Sequence, residues 1–226
     1  MFEATTLRTE MDYGDGRRPE IVNWGASLSV DLSRRDFTIN SMAYDIQREL
    51  LFDPFDGISD LKNGILRAVG DAHERLADDG LRIMRAYRFM DRGENGVWNP
   101  DYSLSTALID NRSMLSLVSV ERIWSEFSRI ILGLHSPIVV KRMNQDGILF
   151  AILQEPIEDE IIDKLSMISL DLETRIALLL SNSKSERVAN ILSRLKVSNH
   201  TQKRCLLLHS LINLHPKLED IRVYRK

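Results

Sequence analysis

Apolar and polar positions along the chain change their period near residue 70. Residues 2–8 predict a strand that starts with no lead-in, and Ile21-Val22-Asn23-Trp24 predicts a second. Between them lies a polar loop, Thr9 to Glu20, rich in Gly, Asp and Arg. Residues 31–45 read as a turn and then a helix, with Ile39, Met42 and Ala43 at helical spacing. Leu50-Leu51-Phe52-Asp53 is a short strand, Asp56-Gly57 a tight turn, and Ile65 to Val69 a further strand. Beyond this the spacing is helical over 74–91, 119–134, 137–145, 159–167, 171–181, 184–195 and 199–213. The 119–134 segment is the cleanest. Ser119 stands as its N-cap and Glu121 in its first turn, with Ile123, Trp124, Phe127, Ile130, Ile131 and Leu134 forming a core stripe. The expected fold is therefore α/β followed by all-α, with domains at 1–70 and 71–226.

Composition narrows the function classes. The 226 residues carry 43% hydrophobic and 28% charged side chains, the balance of a globular protein that buries a core. The net charge of -3 does not advertise nucleic acid, so such a site would have to be a local basic surface. Cys205 is the single cysteine, which excludes an internal disulfide or a Cys-rich zinc site and fits a reducing cytoplasm. Its helical flanks suggest a buried, inert thiol. No apolar run approaches the roughly 18 residues of a membrane span, and the N-terminus lacks the pattern of a signal peptide. The five histidines form no H-x-x-x-H pair, and neither a Walker A, a G-x-G-x-x-G nor a G-x-S-x-G occurs.

Three polar clusters could carry chemistry. In Asp31 to Asp45, Arg34 and Arg35 have the forked geometry that suits phosphate, while Asp36 and Asn40 could meet sugar hydroxyls. A solvated turn with Asp36 capping a helix explains the same residues. In Asp78-Asp79-Gly80-Leu81-Arg82, continuing to Arg85 and Arg88, the three arginines share an arc of roughly 120° opposite an apolar face. An acceptor beside an arginine ladder could read a base edge and hold a triphosphate. The alternative is an ordinary charged face, although three cations at this spacing then need acidic partners from elsewhere. The third cluster, Arg8, Arg17 and Arg18 around the Thr9–Glu20 loop, shows nothing by spacing beyond a Gly-rich loop.

Taken in order, these segments resemble the class II tRNA nucleotidyltransferases, the family of CCA-adding enzymes and bacterial poly(A) polymerases. Arg34-Arg35-Asp36-Phe37-Thr38-Ile39-Asn40 stands at the family's R-R-D-F-T-x-N motif. Leu51 to Gly57, Asp60-Leu61 and Arg67-Ala68-Val69-Gly70 resemble the next motif, and Asp78 to Arg82 resembles the base-selecting E-D-x-x-R. Val118 to Ile123 resembles the S-x-E-R-I start of the following helix. The resemblance implies a partial polymerase-β-like nucleotidyltransferase head followed by a helical neck and body. It also implies addition of C and A to the 3′ end of tRNA from CTP and ATP, with Mg²⁺. Arg35 would hold phosphate, Asp36 and Asn40 would lie near the sugar, and Asp79 and Arg82 would read the base. Arg8, Arg17 and Arg18 would belong to a flexible loop that helps switch from C to A. Poly(A) polymerases and enzymes adding only CC or only A share these motifs. A non-catalytic RNA- or nucleotide-binding module that needs a partner chain is a further alternative.

Three departures stand out. Asp78 replaces the motif's glutamate and Gly80 a frequent proline, and the sequence holds no Gly-Gly-x-x-Arg-Asp turn and no D-x-D. Without those metal-binding carboxylates, for which Glu3 is at best a supplement, the chain reads as truncated at both ends and inactive alone. An upstream-encoded catalytic fragment would be its partner.

Overall fold

A computed structural model describes residues 8–11, 21–24 and 28–213. Contacts divide the chain into one unit of Met1–Met90 and Val97–Leu117 and a second of Asp91–Gly96 and Val118–Lys226. The first compact unit runs past residue 70, because helices after that point pack within it.

In the first unit, β1 (Arg8–Met11) pairs antiparallel with β2 (Ile21–Trp24). Residues 9–11, expected in the polar loop, are therefore strand. Glu3, Arg17 and Arg18 lie outside the described residues, as do residues 2–7 of the expected first strand; only the backbone of Arg8 is described.

The helix expected within 31–45 does not form. Instead α1 (Leu28–Ser33) comes earlier, a 3₁₀ turn spans Thr38–Asn40, and β3 (Ala43–Asp45) pairs with β4 (Leu50–Phe52). The cause is tertiary. Phe37 is extended (φ -127°, ψ 150°) and bridges Ala68, while Thr38 N–H donates to Arg67 O and Val69 N–H to Asp36 O. Fully buried Phe37 then meets Phe89 edge-on, with centroids 5.6 Å apart. Strand pairing and aromatic burial override a weak helical spacing.

At the expected tight turn, Asp56 is left-handed (φ 58°) and Gly57 opens α2 (Gly57–Asn63), which the sequence pattern did not reveal. Asp53 accepts from both Gly57 N and Ile58 N at this helix start. The strand expected over 65–69 is shorter: β5 (Ile65–Leu66) runs parallel to β6 (Asn99–Pro100), and Ala68 keeps only its bridge.

The single helix expected at 74–91 is two, α3 (Ala72–Asp78) and α4 (Leu81–Met90). Asp71 caps α3 by accepting from Glu74 N. Between the helices Asp79 is extended, and Gly80 packs so closely on the Met114 backbone that a Cβ would lie 2.6 Å from Met114 O. The apolar face of α4 (Leu81, Ile83, Met84, Ala86, Tyr87, Met90) is buried as its spacing requires. α5 (Tyr102–Asp110), capped by Asp101, lies in a stretch that sequence reading left without a helix, and a 3₁₀ segment follows at Arg112–Leu117.

The second unit is helical: α6 (Val120–Ile131), α7 (Ser136–Gln145), α8 (Ile148–Leu153), α9 (Asp159–Asp163), α10 (Leu172–Leu179), α11 (Ser185–Arg194) and α12 (Asn199–Asn213). Only α8 escaped the periodicity. Ser119 occupies the N-cap of α6 without a side-chain cap bond, and Leu134, expected in the core stripe, is exposed because the helix ends before it. Arg175 is buried and donates to the carbonyls of Ile131, Gly133, Ile168 and Ser169, which ties the end of α6 to the start of α10. Cys205 is buried as expected, and burial pushes its thiol up to about 12. Among the described residues no helix is long and apolar enough to cross a membrane.

Candidate nucleotide-binding site

The first two polar clusters meet within the first unit. After α1 the chain turns back through Arg34-Arg35-Asp36, and pairing of 36–38 with 67–69 sets this segment beside α4. Buried Asp31 accepts from Arg34 Nη2 at 3.0 Å and from Arg35 Nη2 at 3.1 Å. Burial alone would raise the Asp31 carboxyl. The hydrogen bonds and charges of Arg34 and Arg35 outweigh that and hold it below its ordinary value. Arg35 also donates to Asn40 O, and Asn40 Nδ2 donates to Asp36.

Asp36 is the junction of the two clusters. One of its oxygens accepts from Phe37 N and Asn40 Nδ2; the other receives Arg85 Nε at 2.7 Å and Nη2 at 2.5 Å. Such charge-assisted bonds at a buried carboxylate fix both partners. Arg85 and Arg88 also lie over the Phe89 ring, at 5.4 and 4.2 Å from its centroid.

Arg82 departs from the expected open arginine face. Its side chain is only 15% exposed. Nη1 donates to Arg75 O at 2.7 Å and to Asp78 Oδ2 at 3.2 Å, while Nη2 donates to Arg34 O at 3.0 Å. Asp78 does not start the helix that carries Arg82; it ends α3 and pairs with both Arg75 and Arg82. Asp79 accepts from Leu81 N at 3.0 Å, so its carboxylate serves the first turn of α4. The acidic partners of Arg85 and Arg82 are thus Asp36 and Asp78, supplemented at Arg82 by backbone carbonyls.

Sequence reading passed over Arg75, whose guanidinium reaches Val69 O, Ser33 O and Asp78. The available signal was its spacing, three residues before Asp78 and seven before Arg82. It also passed over the role of buried Asp60, which accepts from Thr38 Oγ1 at 2.7 Å and from Arg67. That hydrogen bond, more than the opposing burial, raises the Arg67 guanidinium above its ordinary value.

Magnesium, implied by the resemblance, meets no fitting donor set among the described residues. Among the described residues no group of three or more His, Cys, Asp or Glu could hold a metal ion. The nearby buried carboxylates already have partners: Asp31 pairs with Arg34 and Arg35, and Asp36 with Arg85, Asn40 and Phe37 N.

Residues 1–67 match the family model described as the poly A polymerase head domain, and residues 101–158 the one described as the probable RNA and SrmB-binding site of polymerase A. Over 135 residues, 60% of this chain and 33% of the relative, the sequence is 45% identical to the CCA-adding enzyme of Lactobacillus helveticus. Over 167 residues it is 41% identical to that of Leuconostoc mesenteroides, covering 73% of this chain and 41% of the relative.

The chain belongs to the tRNA nucleotidyltransferase and poly(A) polymerase family.

The CCA-adding enzyme of Bacillus stearothermophilus, solved in complex with CTP, shares the fold with a TM-score of 0.75 at 25% identity, over 88% of this chain and 52% of that one. The present chain spans 33% and 41% of the length of these two curated relatives. Family membership accounts for the head-then-helices architecture and for the order of the motifs on it.

Proposed function

We propose that this chain is the nucleotide-selecting portion of a tRNA nucleotidyltransferase, which adds C and A to tRNA 3′ ends from CTP and ATP. One observation carries the reading: Arg34-Arg35-Asp36 with Asn40, and Asp78-Asp79 with Arg82, Arg85 and Arg88, converge within one unit and are locked together by Arg85–Asp36 and Arg82–Arg34. Arg35, the most exposed of the paired arginines in this group, takes the phosphates; its fork matches two oxygens. Asp36 and Asn40 would meet the sugar once Asp36 exchanges one of its present bonds for it, and Asp79 with Arg82 would present an acceptor and donors to the base edge. Arg82 would exchange a carbonyl bond for a base bond, so selection draws on groups that are already ordered. Arg17 and Arg18, with Arg8 at the start of β1, would belong to the segment that adjusts the site between C and A. Mg²⁺, if bound, would supply charge neutralisation at the triphosphate, held by carboxylates outside the described residues.

Equilibrium titration of the purified chain with CTP, ATP, UTP and GTP tests this. Binding of CTP and ATP at least about tenfold tighter than UTP and GTP is expected, a difference of about 1.4 kcal/mol. Equal binding of all four, or of none, would overturn it, and preference for ATP alone would favour a poly(A) polymerase. Incorporation of CTP into tRNA lacking its CCA end is expected only after co-expression with a polypeptide bearing the D-x-D carboxylates.

A further inference from the structure

We infer that Arg75 is the positioning residue for base selection, an assignment that rests on the functional reading above. Arg75 is poorly placed to touch a ligand itself. Its side chain is 18% exposed, and each of its three guanidinium nitrogens is directed at a protein acceptor. Nη2 donates to Ser33 O at 2.8 Å, Nε to Val69 O at 3.0 Å, and Nη1 to Asp78 Oδ2 at 3.4 Å. These acceptors lie on three separate segments: the end of α1, the strand-like stretch after β5, and the end of α3.

The connections close into a ring. Arg75 holds Ser33 through its carbonyl. The next residue, Arg34, offers its own carbonyl to Arg82, and Arg82 returns to the carbonyl of Arg75. Asp78 bridges the ring by pairing with both arginines through one oxygen. Arg82 consequently owes its orientation to Arg75 twice, through the shared carboxylate and through the accepting carbonyl. The backbone of the Arg34-Arg35-Asp36 segment owes its distance from α4 to the same side chain. α3 acts as a spacer whose one inward arginine sets the separation between the group that would read the base and the groups that would hold sugar and phosphate.

A planar fork with donors in three directions is needed here. A lysine offers one compact ammonium and reaches Asp78 or Ser33 O, not both together with Val69 O. Loss of the fork would leave Arg82 attached to α4 yet free to sample other rotamers, which erodes discrimination between bases more than attraction for the triphosphate.

The test compares the full chain with Arg75→Lys, Arg75→Ala and a stability control, Leu108→Ala, which removes fully buried apolar atoms from α5 and leaves every hydrogen-bonding group of the ring in place. Dissociation constants for CTP and UTP are measured together with the melting temperature. The expected result is a CTP-over-UTP preference that falls from about tenfold to within about twofold in Arg75→Lys, with CTP affinity itself changed by less than about fivefold. Arg75→Ala should lose the same preference. Leu108→Ala should melt earlier while keeping the wild-type preference. If Arg75→Lys melts earlier yet discriminates as the wild type does, Arg75 is only structural and the assignment fails. If the unsubstituted chain binds no nucleotide, the functional reading fails and this assignment falls with it.

Discussion

Replacing Arg82 by alanine removes three donated hydrogen bonds at once, to Arg75 O, Arg34 O and Asp78. The two carbonyl bonds, at 2.7 and 3.0 Å, come from a cation whose side chain is 15% exposed. Each contributes about 1 kcal/mol net, and the stranded carbonyls are partly rehydrated in the space the side chain leaves. The Asp78 arm adds little, since that carboxylate is 47% exposed and surface pairs contribute only about 0.5 kcal/mol. Alanine recovers a few tenths of a kcal/mol of helix propensity in α4. The balance is a loss of about 2–3 kcal/mol, or roughly 8–12 °C in the melting of the unit that contains α4. Circular dichroism and urea titration of wild type and Arg82→Ala measure it, read as the transition of that unit because a chain of two units need not unfold in one step. Arg82→Ala should therefore lose nucleotide discrimination and stability together. A variant that melts as the wild type does while losing discrimination would refute the inward latch and restore the picture of a free arginine face.

Three further outcomes are expected. Gly80→Ala should destabilise the first unit by more than about 2 kcal/mol in urea titration, because its Cβ would lie 2.6 Å from Met114 O and 2.9 Å from Met114 C, both backbone atoms that yield poorly; a neutral result would show that the α3–α4 junction shifts freely. The Asp31 carboxyl is held below its ordinary value by Arg34 and Arg35 against the opposing effect of burial. Its contribution is complete above the ordinary carboxylate range near pH ~4 and fades as pH falls through the folded value. Urea midpoints measured from pH 6 to pH 2 should accordingly fall more steeply for the wild type than for Asp31→Asn, and parallel curves would contradict this. Cys205 is fully buried with its thiol pushed up to about 12 from 9.0, so a thiol reagent at pH 8 should label it only in denaturant; rapid labelling of the native chain would contradict that burial.

Much of the architecture was legible because the strongest helices bury one face. Ile123, Phe127, Ile130 and Ile131 announce α6 at a spacing no strand could use, and the apolar positions of α4 did the same. Short helices were less visible. α8 is apolar nearly all round and six residues long, so it has no contrasting polar face to betray it. α2 begins at a left-handed aspartate, which reads locally as a turn.

The candidate site divides in the same way. Residue order alone determined the family, marked Arg34, Arg35, Asp36, Asn40, Asp79, Arg82, Arg85 and Arg88 as candidates, and showed that an arginine row needs acidic partners, since guanidinium and carboxylate chemistry belongs to the side chain and travels with it. Only the tertiary structure decided which partners those were. Asp36 reaches Arg85 across 49 residues, and Arg34 O meets Arg82 across 48, separations at which no local periodicity acts. Phe37 shows the reason most directly. Its segment has a helix-like spacing, yet pairing with Ala68 and burial against Phe89 hold it extended, because burying an aromatic ring and satisfying backbone groups outweigh a few tenths of a kcal/mol of local preference.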